Sequence, residues 1–171
     1  MVLLRLLGQL TKADFHNPLA QFIVRATNPL LIPLRRIIPS IAKFDTASLL
    51  LAILLTLVEF ILLKSIYDGY FAIDLLSIPE TYVILLAKLS SMTIKLLISL
   101  IILKVLFSWI QAGYNPAASL LIQITEPMLS PIRRLIPISG IDISPIILLV
   151  ILYTIDEITA GYLRILLEAV N

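Results

Sequence analysis

The chain contains no cysteine, which excludes disulfides, thiolate metal sites and covalent haem attachment. Its five glycines are scattered through 171 residues, so no glycine-rich loop of the kind that cradles phosphate can be built. Histidine occurs once, at His16, and a single imidazole reads more simply as a polar group at an interface than as a metal ligand. Charged residues make up only 14% of the chain and the net charge is +2, too little basic surface for a nucleic-acid partner. No Gly/Ser linker or low-complexity tract divides the sequence. These absences predict a non-enzymatic protein with no catalytic residue, no metal and no cofactor.

What fills the chain is apolar. Hydrophobic residues reach 60%, against about 45 to 50% in ordinary soluble domains. A helix crossing a bilayer needs about 20 mostly apolar residues, and Ala47 to Tyr67 and Leu89 to Ile110 meet that length. A third stretch, Pro145 to Leu167, is long enough but carries Asp156 and Glu157 in its middle. The reading is one all-α, multi-pass membrane domain over residues 1–171.

An internal repeat organises it. Asn17-Pro18, Pro29 and Pro33-Leu34-Arg35-Arg36-Ile37-Ile38-Pro39 recur 98 residues later as Asn115-Pro116, Pro127 and Pro131-Ile132-Arg133-Arg134-Leu135-Ile136-Pro137, and 11 of the 23 positions are identical. Each copy leads into an apolar run that opens on an aspartate, Asp45 or Asp142. Repeat one covers 1–70 and repeat two 84–171, each reading as a span, a Pro/Arg-Arg loop and a second span. Met1 to Leu10 corresponds to the last part of the Leu89 to Ile110 helix, and ten helical residues rise only about 15 Å. The repeat therefore predicts a first span cut short, as a late-assigned start codon or a trimmed chain would leave it. A signal peptide is the competitor, but Arg5 interrupts the apolar region and no convincing cleavage site follows.

Charge predicts orientation. The loops from Thr11 to Asp45 and from Gln111 to Ser144 lean basic, while Tyr67 to Thr81 holds Asp68, Asp74 and Glu80 with no Lys or Arg. By the positive-inside rule both repeat loops face the cytoplasm and the acidic loop the other side, which makes the repeats parallel. Tyr67, Tyr70, Phe71 and Tyr82 flank the outer loop, and Phe107, Trp109 and Tyr114 mark the inner end of the third span.

Within each loop, Asn17-Pro18 and Asn115-Pro116 predict helix starts, with Asn as N-cap and Pro at the first helical position. Leu19, Phe22, Ile23 and Ala26 are expected on one face of the first helix, and Leu120, Leu121 and Ile124 on one face of the second, so both helices lie in the interface plane. Pro29 and Pro127 are expected to end them, with Pro33 and Pro131 opening one further turn that stops at Pro39 and Pro137. The arginines Arg35, Arg36, Arg133 and Arg134 ride on that turn. They serve either as anchors on anionic lipid head groups or as the lining of a cytoplasmic vestibule or a partner's docking site.

The spans themselves carry charge. Glu59 and Asp156 are repeat partners, each 14 residues beyond its aspartate, Asp45 or Asp142. In the third span Lys88, Ser91, Lys95 and Ser99 fall within about 80° of circumference at 100° per residue, with Lys104, Ser108 and Gln111 on the opposite edge. Lys88 and Lys104 can snorkel towards head groups, whereas Lys95 lies deeper. Charge at such depth costs at least a few kcal/mol and normally faces a partner or water. The cluster Glu59, Lys95, Asp156 and Glu157 thus has three readings: buried ion pairs that fix helix association, a hydrated cation or proton path, or contacts with a partner protein.

The doubled Pro-x3-Pro-x-Arg-Arg-x2-Pro loop, each copy followed by an aspartate and an apolar helix, resembles the YggT family of bacterial membrane proteins over essentially the whole chain. The resemblance implies an inner-membrane protein with a complete first span. It also implies roles in osmotic or potassium-linked homeostasis, in division or nucleoid and septum organisation, or in cytochrome assembly in plastids. The expectation ranked first is ion (potassium) and osmotic homeostasis, as a small transport or channel-like oligomer. The alternative is a scaffold or assembly factor at division or cofactor-insertion sites. Expected partners are the lipid bilayer, anionic head groups at the repeat loops, and a second copy or another membrane protein.

Overall fold

The computed structural model describes residues 1–38, 45–68, 79–110, 115–135 and 142–170. These form six helices, α1 Val2–Leu10, α2 Pro18–Ile37, α3 Thr46–Asp68, α4 Pro79–Trp109, α5 Pro116–Leu135 and α6 Ser144–Val170, and no strand occurs among them. Three helices are long and apolar enough to cross a membrane, over Thr46–Ile66, Thr81–Trp109 and Ser144–Glu168. The order α1-α2-α3 is repeated by α4-α5-α6, and in both triplets every helix packs on the other two. Contacts α3·α4, α2·α5 and α1·α5 join the triplets. Position 39 and the acidic residue Asp74, with Tyr70, Phe71, Tyr114 and Pro137, lie outside the described residues, so the expectations placed on Pro39 and those positions have no counterpart here.

The helix starts obey local chemistry. Asn17 Oδ1 accepts from the Leu19 N–H at 2.9 Å and Asn115 Oδ1 from the Ala117 N–H at 2.9 Å, with a proline first in each helix. The expectation that Pro29 and Pro127 end these helices is overturned, since α2 and α5 run unbroken through Pro29 and Pro33 and through Pro127 and Pro131. All four prolines sit on the exposed side. Each leaves one carbonyl without its helical N–H, and with 4-residue spacing both gaps fall on that same outer side, away from the packed core.

The buried stripe also differs from the expected one. In α2 it is Ala20, Ile23, Thr27 and Leu31, while Leu19, Phe22 and Ala26 are exposed. In α5 Leu120, Leu121 and Ile124 are buried as expected, continued by Thr125 and Leu129. Leu31 and Leu129, repeat partners, are both wholly buried. The largest core joins Leu7 of α1 and Ile23 of α2 to Leu100 and Ile101 of α4, Ile124 of α5 and Leu152 of α6. A second core packs Val2 and Leu31 on Ala47 and Leu51 of α3.

The third span begins at Pro79, ten residues before the expected Leu89. Lys88 looked like a boundary because it is charged, yet its charge is matched inside the bundle, so nothing ends the helix there.

Candidate functional site

The intramembrane charges meet across α4. Lys88 Nζ lies 3.1 Å from Glu59 Oε1 of α3, and Lys95 Nζ lies 3.9 Å from Asp156 Oδ2 of α6. Between the two lysines, Ser91 Oγ donates to Asp156 Oδ1 at 2.5 Å. Spacings of three and four residues put all three side chains on one helix face. Other hydroxyls in α4 bond back to their own helix, Ser90 to Leu86, Thr93 to Leu89 and Ser99 to Lys95, each at 2.8 Å. Ser91 alone among these crosses to another helix, trading a back-bond for a charge-assisted one.

The cluster expected from sequence is therefore divided. Asp156 is buried at 8% exposure, whereas the Lys95 side chain is 65% exposed and that of Glu59 42%. Lys95 meets Asp156, and Glu59 takes Lys88, a residue that sequence reasoning sent to the head groups. Glu59 also lines a cavity of about 460 Å³ with Thr27, Thr56, Met92 and Leu96. Glu157, about 100° round the helix from Asp156, is exposed and has no ion pair among the described residues.

The Arg-Arg pairs divide in the same way in both repeats. The first arginine holds the aspartate that opens the next span. Arg35 pairs with Asp45, and Arg133 donates from Nε to Asp142 Oδ2 at 2.8 Å. Each aspartate in turn caps its helix: Asp45 accepts from the Ser48 N–H at 3.2 Å and hydroxyl at 2.6 Å, and Asp142 from the Ser144 N–H at 3.0 Å. Burial pushes the Asp45 carboxyl up, but Arg35 and Ser48 outweigh it and hold the group below the ordinary carboxylate range. Burial likewise pushes the Asp142 carboxyl up, but Arg133 and Ser144 outweigh it and hold the group below the ordinary range, while the hydrogen bond to Asp142 raises the Arg133 guanidinium. The second arginines, Arg36 and Arg134, are exposed and unpaired among the described residues.

Other contacts were not anticipated. Lys104 lies 3.3 Å from Glu126 Oε2 instead of reaching for head groups, and Glu126 also pairs with Arg133. Arg5, 6% exposed, donates from Nη1 to the Val24 carbonyl at 3.3 Å, Thr27 Oγ1 at 2.6 Å and Asn28 Oδ1 at 2.9 Å. Its position inside an apolar run was the available signal. His16 is exposed, its Nδ1 3.0 Å from Asp14 Oδ1. No group of three or more His, Asp or Glu able to hold a metal exists among the described residues.

Comparison with known proteins follows the repeat. The CCB3/YggT family model matches residues 1–66 and 83–163. The chain is 45% identical over 168 residues to an uncharacterised protein of Pseudomonas aeruginosa, covering 95% of this chain and 82% of that one. It is 39% identical over 166 residues to the uncharacterised protein YggT of Escherichia coli, covering 96% and 84%. An uncharacterised protein of Haemophilus influenzae is 35% identical over 163 residues, covering 92% and 82%. No solved structure matches the chain significantly.

Proposed function

This chain belongs to the CCB3/YggT family, and on that premise we propose that it is a non-catalytic platform of the bacterial inner membrane on which another membrane protein assembles. The observation that carries this reading is Glu157. It stands 13 residues into α6, about 20 Å along a helix that is long enough to cross the bilayer, on an exposed face shared with Val150, Tyr153 and Arg164. An ionised side chain left against lipid at that depth costs at least a few kcal/mol, and a neighbouring helix bearing a cation or hydrogen-bond donor removes the penalty. Asp156 and Glu59 have lysine partners within the chain and serve helix association, whereas Glu157 is an outward-facing acid with no ion pair among the described residues. Arg36 and Arg134 are free to rest on anionic head groups with the repeat loops facing the cytoplasm.

A second reading, a part in potassium and osmotic balance, draws support from Glu59. Its half-exposed carboxylate lines the 460 Å³ cavity and is a group on which a hydrated cation could rest, although any pore would need several copies. A photo-activatable cross-linker at position 157 in living cells separates the two. Cross-links to a different membrane protein support the platform, and cross-links to a second copy with potassium flux in liposomes support the second reading. Cross-links to lipid only would overturn the platform.

A further inference from the structure

The two repeats handle charge differently beside their first arginine. In repeat two, Glu126 and Asp142 balance Lys104 and Arg133, two acids for two cations. Repeat one replaces Glu126 by Asn28, 98 residues earlier, and adds cations where repeat two is neutral: Arg5 stands for Leu103 and Arg25 for Gln123. Arg5, Arg25 and Arg35, together with Gln9 and Gln21, line one cavity of about 500 Å³. Among the described residues Asp45, bound to Arg35, is the one acid in an ion pair with any of the three. Arg5 has only neutral acceptors among the described residues, all taken by Nη1, although its side chain is buried. Asp45 is within electrostatic reach of Arg5 but is bound to Arg35, and a buried cation with no ion pair of its own is costly.

We propose that this cavity binds a phosphate-bearing anion, held by the guanidinium groups of Arg5 and Arg25 with Gln9 and Gln21 as neutral donors. Planar guanidinium forks match tetrahedral oxyanions in a bidentate way, and the volume lies within the range of small-ligand sites. The anion supplies the charge that Glu126 supplies in repeat two. The site is independent of the outward face of α6 and of the platform reading. A phospholipid head group and inorganic phosphate offer the same chemistry, and the test distinguishes them.

The purified full chain in neutral detergent is offered phosphatidylglycerol, with phosphatidylcholine as reference, and lipid retained is counted by native mass spectrometry. Separately, inorganic phosphate is titrated against chloride while the thermal unfolding midpoint is followed. Preferential retention of phosphatidylglycerol identifies a lipid, and a rise in midpoint with phosphate identifies the free anion. Arg25→Gln, at an exposed position, weakens the effect at least about tenfold, and Arg134→Gln in repeat two leaves it unchanged. Asn28→Glu is decisive because its two effects run in opposite directions. By restoring the acid of repeat two beside Arg5, it abolishes anion binding while holding or raising the unfolding midpoint in anion-free buffer. The proposal is overturned if neither probe exceeds its reference, or if binding survives both Arg25→Gln and Asn28→Glu.

Discussion

Replacing Lys95 by leucine leaves the buried carboxylate of Asp156 with Ser91 as its only partner among the described residues. The charge separation is 3.9 Å, for which Coulomb's law gives about 1 kcal/mol in bulk water and about 4 kcal/mol at an effective dielectric of 20. Asp156 is buried, and the exposed Lys95 stands mid-way along a membrane-spanning helix away from bulk water, so the coupling lies towards the upper limit, at about 4 kcal/mol. Asp156→Leu alone also strands one charge, the Lys95 ammonium on a membrane-spanning helix, but it frees the Ser91 hydroxyl to bond back to its own helix. Adding Asp156→Leu to Lys95→Leu therefore recovers most of the loss, in keeping with the rule that breaking a buried pair is worse than deleting it. Ser91→Ala, which removes a hydrogen bond to a charged group, costs about 1.5 to 3 kcal/mol. Thermal unfolding in detergent and abundance in the membrane fraction measure all four variants. Additivity of Lys95→Leu and Asp156→Leu within about 0.5 kcal/mol would refute the pairing.

Two further outcomes are expected. The Asp45 carboxyl is held below its ordinary range in the folded chain, so its contribution is fully present above the unfolded pKa of about 4 and is lost as pH falls through the lower folded value. The unfolding midpoint of the parent should thus drop more steeply between about pH 5 and pH 3 than that of Asp45→Asn, and parallel curves would show that the Arg35 pair contributes nothing. Reporter fusions at Lys43 and Ser139 should read cytoplasmic and one at Asp74 periplasmic, whereas a periplasmic signal at either repeat loop would sink the parallel arrangement.

The repeat was legible because its information is local. Asn-Pro starts and Arg-Arg turns sit at fixed spacing, and the two copies fold alike down to matching cap distances at Asn17 and Asn115. The prolines misled because proline disfavours the helical geometry of the residue before it only as a tendency. Whether Pro29 ends a helix depends on which side its freed carbonyl faces, and that side is set by packing of Ile23 and Leu31 on the opposite face. The charged positions in the spans were legible as a set but not as pairs. Lys88 and Lys95 share a face of α4, and only the relative placement of α3 and α6 decides that Glu59 takes the first and Asp156 the second. Arg5 was legible as a charge in an apolar run but its partners were not, for the same reason, since its acceptors Thr27 and Asn28 lie more than 20 residues away.

The cap of α2 has a consequence for the order of synthesis. Asn17 serves both repeats: Oδ1 caps its own helix, while Nδ2 donates to the Pro116 carbonyl at 2.7 Å. Nearby, the Asp14 N–H donates to Gln123 Oε1 at 2.5 Å. Both acceptors leave the ribosome about 100 residues after their donors, a delay of roughly 5 to 20 s at ordinary elongation rates. For that interval the first half waits in the bilayer with an unfinished seam, open to membrane proteases. A nascent chain stalled before Pro116 lacks both acceptors, so its seam stays open.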